Sequence, residues 1–120
     1  EGVELGKISF GGPMMGGAAP SADFPVLKQN IGLLLFSKKA AALPEPSACI
    51  RCGRCVEGCP MNLIPCLLGN AVEAERFDLA AQNHVMDCLE CGSCAYVCPA
   101  HRPLVQHMRR AKAEIRKRKK

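Results

Sequence analysis

The chain has 120 residues, enough for one small domain with part of another, and a formal charge of +5. Hydrophobic residues are 48% and charged ones 22%, as in a globular protein, but aromatics are only 4%, Trp is missing and nine residues are Cys, so the apolar core is modest and calls for staples. The longest apolar run, residues 31–36 (Ile-Gly-Leu-Leu-Leu-Phe), is too short to cross a bilayer as a helix, and no charged-then-apolar leader opens the chain.

A start at Glu1 rather than Met reads as a piece of a longer polypeptide. Residues 1–36 read as β-rich: Val3, Leu5, Ile8 and Phe10 alternate loosely with polar residues, and residues 31–36 resemble a buried strand. Between them, Gly11-Gly-Pro-Met-Met-Gly-Gly17 reads as a turn-forming loop rather than a flavin cradle, since it does not open a helix. So few strands are unstable alone, and the segment reads as the end of a domain that begins upstream. Residues 37–48 read as a linker in which Pro44 and Pro46 interrupt any helix.

The chain then repeats itself. Cys49-Ile-Arg-Cys-Gly-Arg-Cys-Val-Glu-Gly-Cys-Pro60 returns 39 positions later as Cys88-Leu-Glu-Cys-Gly-Ser-Cys-Ala-Tyr-Val-Cys-Pro99, with the four Cys, the Gly and the Pro identical. Between the copies, residues 65–76 suit a helix with Pro65 in its first turn and Leu67, Leu68, Ala71 and Val72 on one side. Asp78 can cap a second short helix running to about His84. After the second copy, Pro103 opens a last helix with Leu104, Val105, Met108, Ala111 and Ile115 on one face. Residues 109–120 hold eight Lys/Arg against Glu114 alone, a net +7, so residues 1–108 carry −2. The basic run reads as a solvated helix end whose cations suit the macrodipole, with nucleic acid or an anionic membrane surface as the alternative.

The spacing Cys-x2-Cys-x2-Cys-x3-Cys-Pro is the bacterial ferredoxin run for a 4Fe–4S cluster. Three thiolates three residues apart on a tight loop reach three irons of one cubane, and the fourth, before Pro, crosses to the other cluster. Cys49, Cys52, Cys55 and Cys98 are therefore assigned to cluster 1, and Cys88, Cys91, Cys94 and Cys59 to cluster 2. Each cluster then ties the two halves together, so the apo-protein is expected to be largely unfolded. Gly53 and Gly92 are expected to let backbone approach a sulfide, and Ile50, Met61, Ile64, Leu89 and Val97 to form the dry wall that tunes the potential. A zinc ribbon would need four thiolates rather than four plus four with two Cys-Pro ends, and disulfides would need an oxidising compartment. Cys66 is left over and reads as a small buried apolar residue. His84, His101 and His107 have no ligand-like spacing, and Tyr96 reads as packing. Two oxidised cubanes of about −2 each would bring the holo-chain near +1. With every iron held by thiolate, no open site for chemistry remains, and the task left is moving single electrons.

A stretch of 28 residues separates Cys59 from Cys88, helical in pattern, and a basic helix follows the second run. This resembles the α-helical ferredoxin modules of larger redox complexes. Gly11-Gly-Pro-Met-Met-Gly16, the strand ending at Phe36, the first Cys run, Cys98-Pro-Ala-His-Arg-Pro-Leu-Val-Gln106 and Ala111-Lys-Ala-Glu-Ile115 together resemble the C-terminal part of the RnfC family. RnfC is the peripheral subunit of Rnf ion-translocating ferredoxin:NAD oxidoreductase complexes. The resemblance implies a mainly α chain: an α-helical ferredoxin-like module with two 4Fe–4S clusters at residues 49–120, preceded at residues 1–36 by the end of an SLBB-type β-grasp domain. It also implies FMN and NADH sites only in an upstream part outside this sequence, and partners among the other Rnf subunits, including a ferredoxin-like one. The location implied is peripheral, at the cytoplasmic face of the cell membrane. Other readings are the relay of a different redox complex, such as a cobalamin reductase or a heterodisulfide-reductase-like module, or a nucleic-acid protein with structural clusters. The regular Cys runs and Pro103-Leu-Val-Gln106 argue against the cobalamin reductase, and the scarcity of aromatics for base stacking argues against the last.

Overall fold

The computed structural model describes Gly2, residues 4–13 and residues 15–118. Val3 of the expected first strand, Met14 of the glycine-rich loop, and Lys119 and Lys120 of the basic tail lie outside the described residues. The chain divides into two units, Glu1–Pro44 and Glu45–Lys120.

In the first unit, β1 (Leu5–Phe10) lies between β2 (Gly17–Ala18) and β3 (Leu33–Ser37), antiparallel to both. The glycine-rich loop joins β1 to β2, with Gly16 N–H donating to Gly12 O at 2.9 Å. Buried Ser9 donates its hydroxyl to Gly17 O at 3.3 Å and pins the short edge strand. The strand expected at residues 31–36 begins two residues later, and it is not buried on both sides: Ile31 is fully exposed, and Leu33 and Leu35 face outward while Leu34 is partly covered. A three-stranded antiparallel sheet alternates covered and open faces, so an unbroken apolar run does not guarantee burial. The stretch expected as a linker opens with one helical turn, α1 (Lys38–Ala41), capped by the Ser37 hydroxyl, which accepts from Ala40 N–H. The chain is extended only from Ala42 onward.

In the second unit the internal repeat is a repeat of backbone conformation. Each Cys run places a non-glycine residue in the left-handed region (Arg51 at φ 54°, Glu90 at 57°), then a glycine there (Gly53 at 81°, Gly92 at 87°). A one-turn helix follows, α2 (Arg54–Glu57) or α5 (Ser93–Tyr96), and then a second left-handed residue, Asn62 or His101. The glycines are there because an L side chain is strained at that φ; a Cβ at Gly53 would meet no protein atom within 4 Å.

The core that holds the two runs is helical. α3 (Pro65–Glu73) starts on Pro65 as predicted and buries Leu68, Ala71 and Val72. Leu67, expected on that stripe, is exposed, because at 100° per residue it turns away from the face set by its three neighbours. α4 (Phe77–Gln82) begins before Asp78, which lies in its first turn and makes no capping bond. A 3-10 turn (Val85–Asp87) leads into the second run. α6 (Leu104–Arg118) buries all five predicted residues, Met108, Ala111 and Ile115 in the core with α3 and α4, and Leu104 and Val105 in a second cluster with Cys55 and Cys94. Gly69 lets α3 and α6 approach, since a Cβ there would sit 2.9 Å from Leu104 Cδ2. Among the described residues the chain holds one three-stranded sheet and six α-helices. It is mixed as a whole, with its helical character concentrated in the second unit.

Several cations of the basic helix bond to the module itself. Arg110 pairs with Glu75 at 2.7 Å, Arg109 with Glu90 at 2.9 Å, and Arg110 and Arg118 both lie over the Phe77 ring.

Candidate iron–sulfur centres

The short helices α2 and α5 carry the most buried thiols, Cys55 and Cys94. Around each lies a cavity. Site 1 is lined by Cys49, Cys52 and Cys55 of the first run together with Cys98 of the second. Site 2 is lined by Cys88, Cys91 and Cys94 of the second run together with Cys59 of the first. The fold thus brings together the two sets of four expected from the spacing, each including one thiol from the opposite run.

Their electrostatics agree with this neighbourhood. Burial pushes the Cys94 thiol up to about 11, and the negative charge of Cys88, Cys91 and Cys59 around it acts the same way. Burial likewise pushes Cys55 up to about 11, with Cys66 beside it as the next cause. Cys91 moves the other way, because the Ser93 hydroxyl, 3.5 Å from its sulfur, and the Ser93 backbone N–H favour the thiolate. Leu63 N–H donates to Cys59 Sγ at 3.4 Å and Glu90 N–H to Cys88 Sγ at 3.3 Å, the amide-to-sulfur bonds that suit a ligating thiolate. Among the described residues no three Cys, His, Asp or Glu side chains converge as ligands of one metal ion. A cubane sets a different demand, one thiolate for each of four irons, and four thiols around one cavity fit it.

The chain's residues 48–101 match the family model described as "4Fe-4S dicluster domain". Over 112 residues, 93% of this chain, it is 44% identical to the C subunit of the Na(+)-translocating ferredoxin:NAD(+) oxidoreductase complex of Acetobacterium woodii, covering 25% of that protein. It is 43% identical over 92% of its length to the C subunit of the proton-translocating ferredoxin:NAD(+) oxidoreductase complex of Clostridium ljungdahlii, covering 24% of it. Against the C subunit of the ion-translocating oxidoreductase complex of Yersinia pestis the identity is 44% over 91% of the chain and 18% of the relative. Over nearly its whole length the chain is similar to a part of these C subunits. It spans a quarter or less of the length of the relatives it matches, and its part of that length includes a module for two 4Fe–4S clusters.

The walls of the sites differ from those expected. Ile50, Met61 and Leu89 do line the cavities but remain exposed, and Ile64 opens onto another groove beside α3. The dry surface of site 2 comes from Leu63, Leu68, Val105 and Met108, supplied by the turn after the Cys run, α3 and α6. Tyr96, expected to pack, is exposed. Cys66 packs against the apolar cluster around Leu104 and also lines site 1 as a fifth thiol. Two buried cations escaped the sequence reading. Lys112 donates to Cys88 O at 2.6 Å and to Glu90 Oε1 at 2.9 Å. Arg102 lines site 1. For Arg102 a signal existed: extending the 39-residue shift beyond the Cys runs pairs it with Leu63, a charged residue where its twin is apolar.

Proposed function

We propose that this chain relays single electrons through two 4Fe–4S clusters as the two-cluster module of an Rnf-type ion-translocating oxidoreductase. One cluster is held by Cys49, Cys52, Cys55 and Cys98, the other by Cys88, Cys91, Cys94 and Cys59. The observation that carries this reading is the partition of eight thiols into two cavities, with Cys59 and Cys98 exchanged between runs. When bound, a thiolate-saturated cubane supplies one-electron redox chemistry and no open coordination position. The chain's part is to hold the thiolates, to aim N–H donors at their sulfurs, and to limit water with Leu63, Val105 and Met108.

In this reading residues 1–36 are the end of an SLBB-type β-grasp domain, residues 37–48 lead into the module at 49–120, and FMN and NADH bind in a part of the full-length protein upstream of this sequence. The module would pass electrons between that flavin and other Rnf subunits, among them a ferredoxin-like one, from a peripheral position on the cytoplasmic face of the membrane. Among the described residues no helix is long and apolar enough to cross a membrane. Relatives named for Na(+) and for proton translocation match this chain almost equally well.

Iron counting on double variants tests the crossed ligation. Cys98→Ser with Cys49→Ser strikes one site twice and should leave about half the wild-type iron. Cys98→Ser with Cys88→Ser strikes both sites and should leave almost none. The reverse pattern would assign each run its own cluster and sink the crossing; a wild-type chain purified anaerobically without about eight irons and a spin-coupled EPR spectrum on reduction would sink the relay itself.

A further inference from the structure

The 39-residue shift that matches the Cys runs also matches the residues closing the two sites: Leu63 corresponds to Arg102, Val105 to Cys66 and Glu90 to Arg51. Leu63 follows Cys59 into site 2, and Arg102 follows Cys98 into site 1. They are about equally buried, at 8% and 4% exposed, but one is apolar and the other a cation.

The two ends of the Arg102 guanidinium meet different surroundings. Nη2 lies 2.6 Å from Glu73 Oε2 on α3. Nη1 is buried and has no hydrogen-bond partner among the described residues. A charged donor left without an acceptor in a low-dielectric interior is costly. Burial opposes the charge on Arg102, yet Glu73 and, beside it, Cys49 keep the guanidinium firmly protonated. The acceptors that chemistry offers at that spot are the Cys49 thiolate and the sulfides of a cubane held by it.

We propose that Arg102 makes the two clusters unequal: its Nη1 donates to sulfur at site 1 and raises that cluster's reduction potential above that of the cluster at site 2, so that a single electron on the chain rests at site 1. The inference rests on the ligand partition proposed above. Reduction takes a thiolate-bound cubane from about −2 to about −3, and a buried charged donor favours the more negative state. The balance is one electron: the site 2 cluster goes from −3 to −2 as the site 1 cluster goes from −2 to −3, with no bond made and no proton moved.

Site 2 has a buried cation of its own, but it is spent elsewhere. Lys112 Nζ is taken up by the Cys88 carbonyl and the Glu90 carboxylate, and Lys112 does not line the cavity. The Glu90 carboxylate lies 2.9 Å from Lys112 Nζ and 2.9 Å from Arg109 Nε, so these two cations are committed to it. The sulfur donors described at site 2 are the backbone amides of Leu63, Glu90 and Ser93 and the Ser93 hydroxyl, which as neutral donors are weaker than a guanidinium. Arg51, the counterpart of Glu90, is exposed and adds little through water.

An EPR-monitored redox titration of the reduced holo-chain, with iron and sulfide counted, decides it. In wild type two separate one-electron steps are expected. Arg102→Leu, which copies the residue of site 2, should keep about eight irons and lower only the upper step, shifting the electron's distribution between the sites at least tenfold, 59 mV for a one-electron couple. Arg102→Lys should restore part of the shift, and Glu73→Gln, which removes the neutralising partner but not the donor, should move the upper step upward. Two intact clusters with no shift in Arg102→Leu, or an equal shift of both steps, overturns the role of Arg102 and leaves the ligation standing. Should Arg102→Leu lose iron, the direction of the Glu73→Gln shift decides: upward supports the role, none or downward overturns it. Fewer than eight irons in wild type is instead a failure of the two-cluster reading.

Discussion

The two halves of the second unit share a backbone and differ in what closes it. Arg51, Gly53 and Asn62 adopt the same left-handed conformations as Glu90, Gly92 and His101, and each run ends by sending its last thiol to the other site. Around that common frame, site 2 is sealed by Leu63, Val105 and Met108, whereas site 1 meets Arg102 and Cys66. A repeat can therefore dictate where thiolates stand while leaving each site its own dielectric and its own donors. In a module proposed to move electrons, that second layer sets the driving force.

The largest expected effect breaks both halves at once. Anaerobic chelation of iron should unfold the module, because each cluster links the two runs and its binding free energy is folding free energy. Far-UV circular dichroism should show most of the helical signal lost, including that of α6, which contains no Cys. Retention of the full signal would mean the helices fold without the clusters.

Lys112→Met separates the halves. It keeps the apolar stem but strips Cys88 O of its charged donor and leaves Glu90 with Arg109 alone, at a cost of about 2–3 kcal/mol in the denaturant unfolding of the holo-chain. Faster hydrogen exchange should appear around Cys88 and Glu90, with the loop of Cys49–Cys55 unaffected.

Gly69→Ala presses on the contact both halves share. Its Cβ meets fully buried Leu104 at 2.9 Å, and the overpacking should cost about 1–2 kcal/mol net of Ala's helix preference, read as a lower denaturation midpoint.

The smallest effect sharpens the likeness. Gly53→Ala and Gly92→Ala place an L residue at φ 81° and 87°, and each should destabilise by about 1 kcal/mol, equally within error. Unequal costs would show that the two loops are held by different forces despite their common shape.

Much of this is legible in the chain itself, and the particular residues say why. The eight candidate thiols and the proposed crossing of Cys59 and Cys98 follow from spacing, since a short loop between ligands leaves the backbone few ways to reach a cubane. The buried stripe of α6 is readable because helical periodicity is a local property. The burial of residues 31–36 is misread because a strand's exposure depends on what lies across its face, which the strand itself does not encode.

By itself, then, the sequence determined the eight candidate thiols, their repeat and the helices that carry them, all relations between residues near in the chain or identical in pattern. Tertiary structure decided that Arg102, which the chain marks only as a cation opposite Leu63 in the repeat, is buried at site 1, and that Lys112, one more cation of the basic tract by composition, is buried against Cys88 and Glu90. Their partners Glu73 and Cys88 lie 29 and 24 positions away, and a charge can be buried only where the fold delivers a partner to it.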